Sequence, residues 1–243
     1  MKNRFFSYRP DFFVSLISFF IQIVFFVAFL LVFVSCGLET FYFLDPPINN
    51  RITENPSDPS ERFFSFRTVT NSSSADIFTG TAVYYCLYNN YSTMTSNMAS
   101  ISNLIGEDYS DAAMNRVLNL GYQPIFLNDS DIIVPSSSGA VSVVIRLFTE
   151  GEYSAEVLIN GSNVGVPLRT PLLTGFTFDP DKDNFPVPKE TDGDVNYSSA
   201  FTEENTWYVA AYAVSIGRSL ELTPVYSQVV PLGYLSFNYE SNN

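Results

Sequence analysis

The chain changes character at Cys36. From Phe12 to Ser35 nearly every position is Phe, Val, Leu or Ile, with Gln22 the most polar interruption, and Lys2, Arg4 and Arg9 stand before the run. It is roughly 22 residues, longer than the ~7–15 apolar residues of an ordinary export signal and long enough to span a bilayer as a helix. The pattern predicts an N-terminal apolar signal helix over 1–35, or else a retained membrane anchor. Either way the basic end stays inside and the rest is delivered outside the cytoplasm.

Beyond Cys36 a short aromatic segment ends at Pro46-Pro47, and residues 49–61 are polar and rich in Pro, Ser and Asp. That predicts an extended tether over 36–61, with the folded part occupying 62–240. Phe64, Phe66 and Thr68 share one face of a strand, and Asn71 to Ser74 makes a turn. Phe78 to Tyr88 is longer and apolar on both faces, with Val83, Tyr85 and Leu87 opposite Ala82, Tyr84 and Cys86. A strand of that kind belongs at the centre of a fold.

The period changes at Thr93. Met94, Met98, Ile101 and Ile105 recur at helical spacing, Ser110-Asp111 opens a second helix with Met114, Val117 and Leu118 inside, and Gly121 closes it. These predict an αα insertion at about 93–120, packed on the sheet, with its methionines as core. Strands resume at Ile132 to Val134 and at Ala140 to Phe148, where Val141, Val143, Ile145 and Leu147 point inward. Tyr153 to Ile159 follows, with Tyr153, Ala155, Val157 and Ile159 inward, and Asn160-Gly161 turns the chain into Val164 to Leu168. Trp207 to Ile216 alternates two apolar faces and Val225 to Leu235 returns.

Composition narrows the chemistry. Aromatics at 16% against 15% charged residues indicate a folded chain. The formal net charge is −13, and the export segment removes more bases than acids, so the delivered part is more acidic still. Such a surface repels phosphate backbones, which argues against nucleic acid as a partner. The chain has no histidine, which removes the commonest general base, the usual zinc ligand and every Ser-His-Asp or Cys-His scheme.

Phe33-Val34-Ser35-Cys36-Gly37 resembles the lipobox of bacterial lipoproteins, with Phe33 in place of the common Leu, a departure that the looser pattern of spirochaetal lipoproteins accommodates. The resemblance implies cleavage between Ser35 and Cys36 and lipid attachment on the Cys36 thiol. Small Ser35 fits a peptidase at the cut, and only a thiol forms the thioether. Gly37 to Pro47 is similar to the segment after the lipidated cysteine in treponemal lipoproteins of unassigned function. A palmitate-bearing protein of the cell envelope, periplasmic or surface-exposed, is implied.

Two strand motifs carry further resemblances. Thr81 to Cys86 resembles the penultimate strand of immunoglobulin variable domains, but the only earlier cysteine is Cys36 and the only tryptophan is Trp207, so a buried strand explains the motif. Trp207 to Val214 with Tyr226 to Pro231 resembles the last two strands of fibronectin type III domains. The fold expected is mainly β, an antiparallel sandwich of fibronectin III or immunoglobulin type with an αα insertion.

Candidate chemistry is sparse. Asp179, Asp181 and Asp183 alternate, and Glu190 falls at the twelfth position as in a calcium loop. Asn184 replaces the loop glycine, and Pro186 and Pro188 prevent the following helix, which favours a solvated acidic loop; Asp192 and Asp194 add charge. Glu150, Glu152, Asp179, Asp183, Glu203 and Glu204 could supply a glycosidase pair, but nothing selects two of them. Cys86 sits mid-strand with no base nearby, a packing position. The expectation is a non-enzymatic envelope lipoprotein without cofactor or metal, held to the bilayer through Cys36, that binds or scaffolds an envelope protein or glycan. A carbohydrate- or peptide-binding module, with exposed aromatics on a sheet face or loop end, is the alternative, and a carboxylate-dependent glycoside hydrolase the third.

Overall fold

The computed structural model describes residues 19–26, 43–49, 51–106, 111–170, 172–178, 187–200 and 205–238. The chain forms two units, Met1–Phe41 and Tyr42–Asn243. In the first, residues 19–26 are helical (α1) and present their apolar side chains outward. Among the described residues no helix is long and apolar enough to cross a membrane. Ser35 and Cys36 lie outside the described residues.

The described residues of the second unit are mainly β, with two sheets and two short α-helices. Strands β3 (Phe78–Tyr88) and β10 (Thr206–Arg218) run antiparallel along nearly their whole length, from Tyr208 beside Tyr88 to Gly217 beside Phe78. On the far side of β10 lies β12 (Val230–Asn238), antiparallel, with β11 (Pro224–Tyr226) covering the end of β10. Three short strands share the other edge of β3: β5 (Val134–Pro135), β4 (Gln123–Pro124) and β9 (Val195–Asn196), the last parallel. The second sheet runs in the order β2 (Phe64–Arg67), β6 (Ser142–Arg146), β7 (Glu156–Ile159), β8 (Ser162–Gly165).

Alternation in β3 and β10 explains the layering. One face of the pair, with Val83, Tyr85, Leu87, Val209 and Ala211, packs on Phe64, Phe66, Val143, Ile145 and Val157 of the second sheet. The opposite face, with Ala82, Tyr84, Cys86, Tyr88, Ala210 and Tyr212, packs on helices α2 (Tyr91–Ser102) and α3 (Ala112–Asn119) through Met94, Ile101, Met114 and Val117. A strand buried on both faces cannot alternate apolar with polar, which is why β3 and β10 read as continuous apolar runs.

Helix α2 starts at Tyr91, two residues before Thr93, because the Asn90 side chain accepts the Thr93 N–H at 2.8 Å and caps it. Gly121 takes φ +84° after α3, the left-handed closure expected. Leu118 differs from expectation: Ala113, Met114 and Val117 form the inward face, and Leu118, one position round the helix, is half exposed. Tyr153 and Ala155 precede β7, and the Tyr153 ring instead receives the Arg146 guanidinium 4.6 Å from its centroid. The stretch Val225 to Leu235 divides into β11 and β12, the Ser227 N–H and hydroxyl serving Ser215 and Gln228 between them.

Residues 43–49 and 51–61, part of the stretch expected as a tether, belong to the second unit. Leu44 is fully buried with Ile77 and Phe78. Strand β1 (Thr53–Glu54) pairs parallel with β12, and the Thr53 hydroxyl donates to the Phe63 carbonyl at 2.8 Å. Polar residues suffice there because an edge strand is held by its backbone and needs an apolar side chain only where it crosses the core.

Candidate functional site

The sandwich has two distinguishable ends. The N-terminal end of β3 and the last residues of β10 lie beside Leu44 and Ile77. The opposite end gathers the end of β3, the start of β10, the end of β12 and the loops carrying Arg62, Phe148 to Glu150 and Phe176 to Phe178. Aromatic side chains and clefts concentrate at this second end.

Its foundation is a buried charge cluster. Arg169, fully buried, donates from Nε to Asp194 Oδ2 and from Nη2 to Asp194 Oδ1, both at 2.8 Å, and from Nη2 to Asp192 Oδ2 at 3.0 Å. Burial alone would lower the pKa of this guanidinium, but the hydrogen bond and charge of Asp194, joined by Asp192, hold it above its ordinary value. The Tyr85 hydroxyl donates to Asp194 Oδ2 at 2.6 Å and accepts the Thr170 N–H at 2.9 Å. Burial, then the Asp194 charge, raises the Tyr85 pKa. The cluster thus pins the loop after Leu168 and the turn before β9 onto the centre of β3.

That pinned loop builds a cleft of about 380 Å³. Phe176 meets Tyr85 edge-on at 4.8 Å between centroids, and Phe178 stacks on Phe237 at 4.4 Å with the Arg169 guanidinium 5.3 Å from its ring. Phe148 lies 5.0 Å from Phe237. Thr149, Thr177, Ser236 and Asn238 supply hydroxyls and an amide around these rings. Arg62 closes the rim: Nε donates to Glu150 Oε2 at 2.6 Å, Nη1 to Asn55 Oδ1 at 3.0 Å, and Nη2 to the Ser236 carbonyl.

A second cleft of about 340 Å³ shares Ser236 and Asn238 with the first and is lined by Tyr91, Tyr208 and Tyr234. The Tyr91 ring lies 5.4 Å from Tyr208 and 5.7 Å from Tyr234, with the Tyr91 and Tyr234 hydroxyls 3.3 Å apart. Burial, followed by Tyr91, pushes the Tyr234 hydroxyl up to about 12, so it is a neutral hydrogen-bonding group at neutral pH. A third cleft of about 280 Å³ shares Tyr91 and Tyr234 and continues past Glu54, Thr95 and Met98 along α2. Tyr208 and Tyr234 lie on the helix face of the sheet, whereas Phe148, Phe178 and Phe237 lie on the face towards the second sheet, so the first cleft adjoins the other two across the end of β12.

The acids singled out from sequence separate. Glu150 lines the first cleft but is bound to Arg62, and Glu152 is exposed in the neighbouring turn. Glu190 is exposed, whereas Asp179, Asp181, Asp183, Glu203 and Glu204 lie outside the described residues. Asp192 and Asp194 converge on Arg169. Among the described residues no three Cys, Asp or Glu are grouped to hold a metal ion. Cys86 is buried, with its thiol pushed up to about 12 by burial, as a packing cysteine would be.

Sequence reasoning missed Arg169 and the tyrosine cleft. A lone basic residue between Leu168 and Thr170, flanked by Pro167 and Pro171, was the available sign of a buried cation. No family model, curated protein or solved structure matches the chain.

Proposed function

We propose that this chain is an exported lipoprotein, held to the cell envelope by lipid on Cys36, that binds a glycan in the aromatic clefts at the far end of the sandwich. The observation that carries the binding reading is the grouping of three neighbouring clefts at one end of the sandwich, each lined by Phe or Tyr rings with the first two also lined by Asn, Ser and Thr. A sugar ring offers an apolar face ringed by hydroxyls, so it matches a flat aromatic surface with amides and hydroxyls beside it. Each cleft is near the lower end of the ~300–1,000 Å³ of ligand pockets, a size that suits a small glycan unit. A hydrolase would need two free carboxylates facing across a cleft. Among the described residues, Glu150 is tied to Arg62 and Asp192 and Asp194 to Arg169, and Glu54 is the one carboxylate that lines the third cleft.

The architectural part of the proposal is a fibronectin III or immunoglobulin type of sandwich, supported by the long antiparallel pair β10 and β12 and the two-sheet core. The parallel strands β1 and β9 are additions to it.

Binding is tested by titrating the purified chain with a panel of envelope oligosaccharides, using calorimetry, beside Phe178→Ala and Tyr234→Ala. The proposal expects saturable binding to a glycan, weakened about tenfold by either change, since a lost ring contact is worth on the order of 1 kcal/mol or more. Absence of binding across the panel, or binding indifferent to both changes, refutes it. The address is tested with labelled palmitate: equal incorporation in wild type and Cys36→Ala would rule out the lipid anchor.

A further inference from the structure

The turn between β10 and β11 presents Leu220 and Leu222 to solvent at 84% and 74% exposure, more than any other large apolar side chain described in the folded unit. The turn holds them in place. The Ser219 N–H donates to the Thr223 carbonyl and the Leu222 N–H to the Ser219 carbonyl, each at 2.9 Å, and the Thr223 N–H donates to the Ser219 hydroxyl at 3.2 Å. Leu222 takes φ +63°, a left-handed conformation that glycine would adopt with less strain, yet the position carries a large apolar side chain. Two leucines displayed on a hydrogen-bonded turn form a shaped apolar tip.

The tip lies at the end of the sandwich where the chain from Cys36 joins it. The Arg218 N–H donates to the Ile77 carbonyl at 2.8 Å, Ile77 packs with Leu44, and Phe43 beside Leu44 is itself 42% exposed. Even fully extended, the chain from Cys36 to Phe43 spans no more than about 25 Å. The aromatic clefts lie roughly 30 Å away, at the other end of β10. Although the whole chain carries −13, the charges of this turn are Arg218 and Glu221, which balance.

We propose that Leu220 and Leu222 enter the interfacial layer of the bilayer that carries the lipid on Cys36, a second membrane contact that stands the sandwich on end and turns its clefts to solvent. The inference rests on the lipid-anchor reading and is independent of the glycan. Its occupant is a lipid surface: a tether this short keeps the Phe43 end near the bilayer, and the turn that presents the two leucines is balanced in its own charges, the exposed acids Asp45 and Asp76 lying outside it beside Leu44 and Ile77.

The test places an environment-sensitive fluorophore on Leu220→Cys in the full-length lipidated chain, with a Thr177→Cys label at the cleft as reference. Fully buried Cys86 stays unlabelled. The protein is reconstituted into phosphatidylcholine vesicles with and without a lipid-borne quencher and floated on a density gradient. The chain should float, the label at 220 should brighten about twofold on reconstitution and be quenched by the lipid probe, and the label at 177 should do neither. Flotation with an unquenched label at 220 overturns the tip contact and leaves the anchor standing. Failure to float overturns both. A label at 220 that is equally shielded before and after reconstitution shows the tip covered by protein, a second copy or another part of the chain, and overturns the proposal.

Discussion

Asp194 grips Arg169 with both carboxylate oxygens at 2.8 Å, and neither side chain has any exposure to solvent. A buried ion pair of this kind is costly to break, because the survivor stays charged and unsolvated. Asp194→Asn or Arg169→Met alone should destabilise the fold by about 3–5 kcal/mol in urea unfolding, while the double change Arg169→Met with Asp194→Leu should recover most of that. Single changes with little effect would mean that the pair is solvated in solution. Because Arg169 also lies against Phe178, the single variants should disturb the first cleft as well.

How much of this was legible follows from which contacts each residue makes. Strands β3 and β10 could be bounded closely from sequence because both of their faces are buried, so apolar residues are continuous. The layer of helices could be placed because Met94, Ile101, Met114 and Val117 keep helical spacing. The Arg169 cluster could not be read, since its partners are separated by 25 positions in the chain and ion pairing leaves no periodic trace. The same holds for β1: Thr53 and Glu54 carry no strand pattern, and what places them is the backbone of Gly233 and Tyr234.

Gly233 is the residue that admits β1. It takes φ +103°, and a Cβ there would overlap the Thr53 carbonyl across the parallel pair. Gly233→Ala should cost more than about 1 kcal/mol and push β1 away from β12. Amide exchange checks this directly: the Asn55 N–H, which donates to the Tyr234 carbonyl at 3.0 Å, should exchange faster in the variant. Unchanged protection would show that the strand accommodates a side chain.

Alkaline pH should unfold this protein sooner than a fold with exposed tyrosines. Burial is the first cause that raises Cys86 to about 12 and lifts Tyr85, Tyr88, Tyr122 and Tyr212 above their ordinary values. Above pH ~9 the unfolded chain releases these protons while the native chain keeps them, so the native state binds more protons and stability falls as pH rises. The contribution is complete below pH ~9 and is lost progressively towards pH 12 and beyond. Thermal midpoints should fall steadily between pH 9 and 11, tyrosinate absorbance should appear with unfolding, and Cys86 should resist thiol reagents at pH 8 until denaturant is added. A flat midpoint over that range contradicts the assigned burial.

The two cores are joined through the same strands, and this governs how the molecule unfolds. Met114 lies in the helical layer and Ile145 in the second sheet, both almost fully buried, and each touches a different face of the pair β3 and β10. Removing either layer would bare a whole apolar face of that pair, so partial unfolding of one layer is unfavourable. Met114→Ala and Ile145→Ala should each cost about 2–5 kcal/mol, with the spread set by how far each site collapses. In both variants the fluorescence of buried Trp207 and the far-ultraviolet circular dichroism should report one coincident transition. If Met114→Ala separated the two probes, the helices would be melting before the sandwich, and the strands β3 and β10 would be stable with one face exposed.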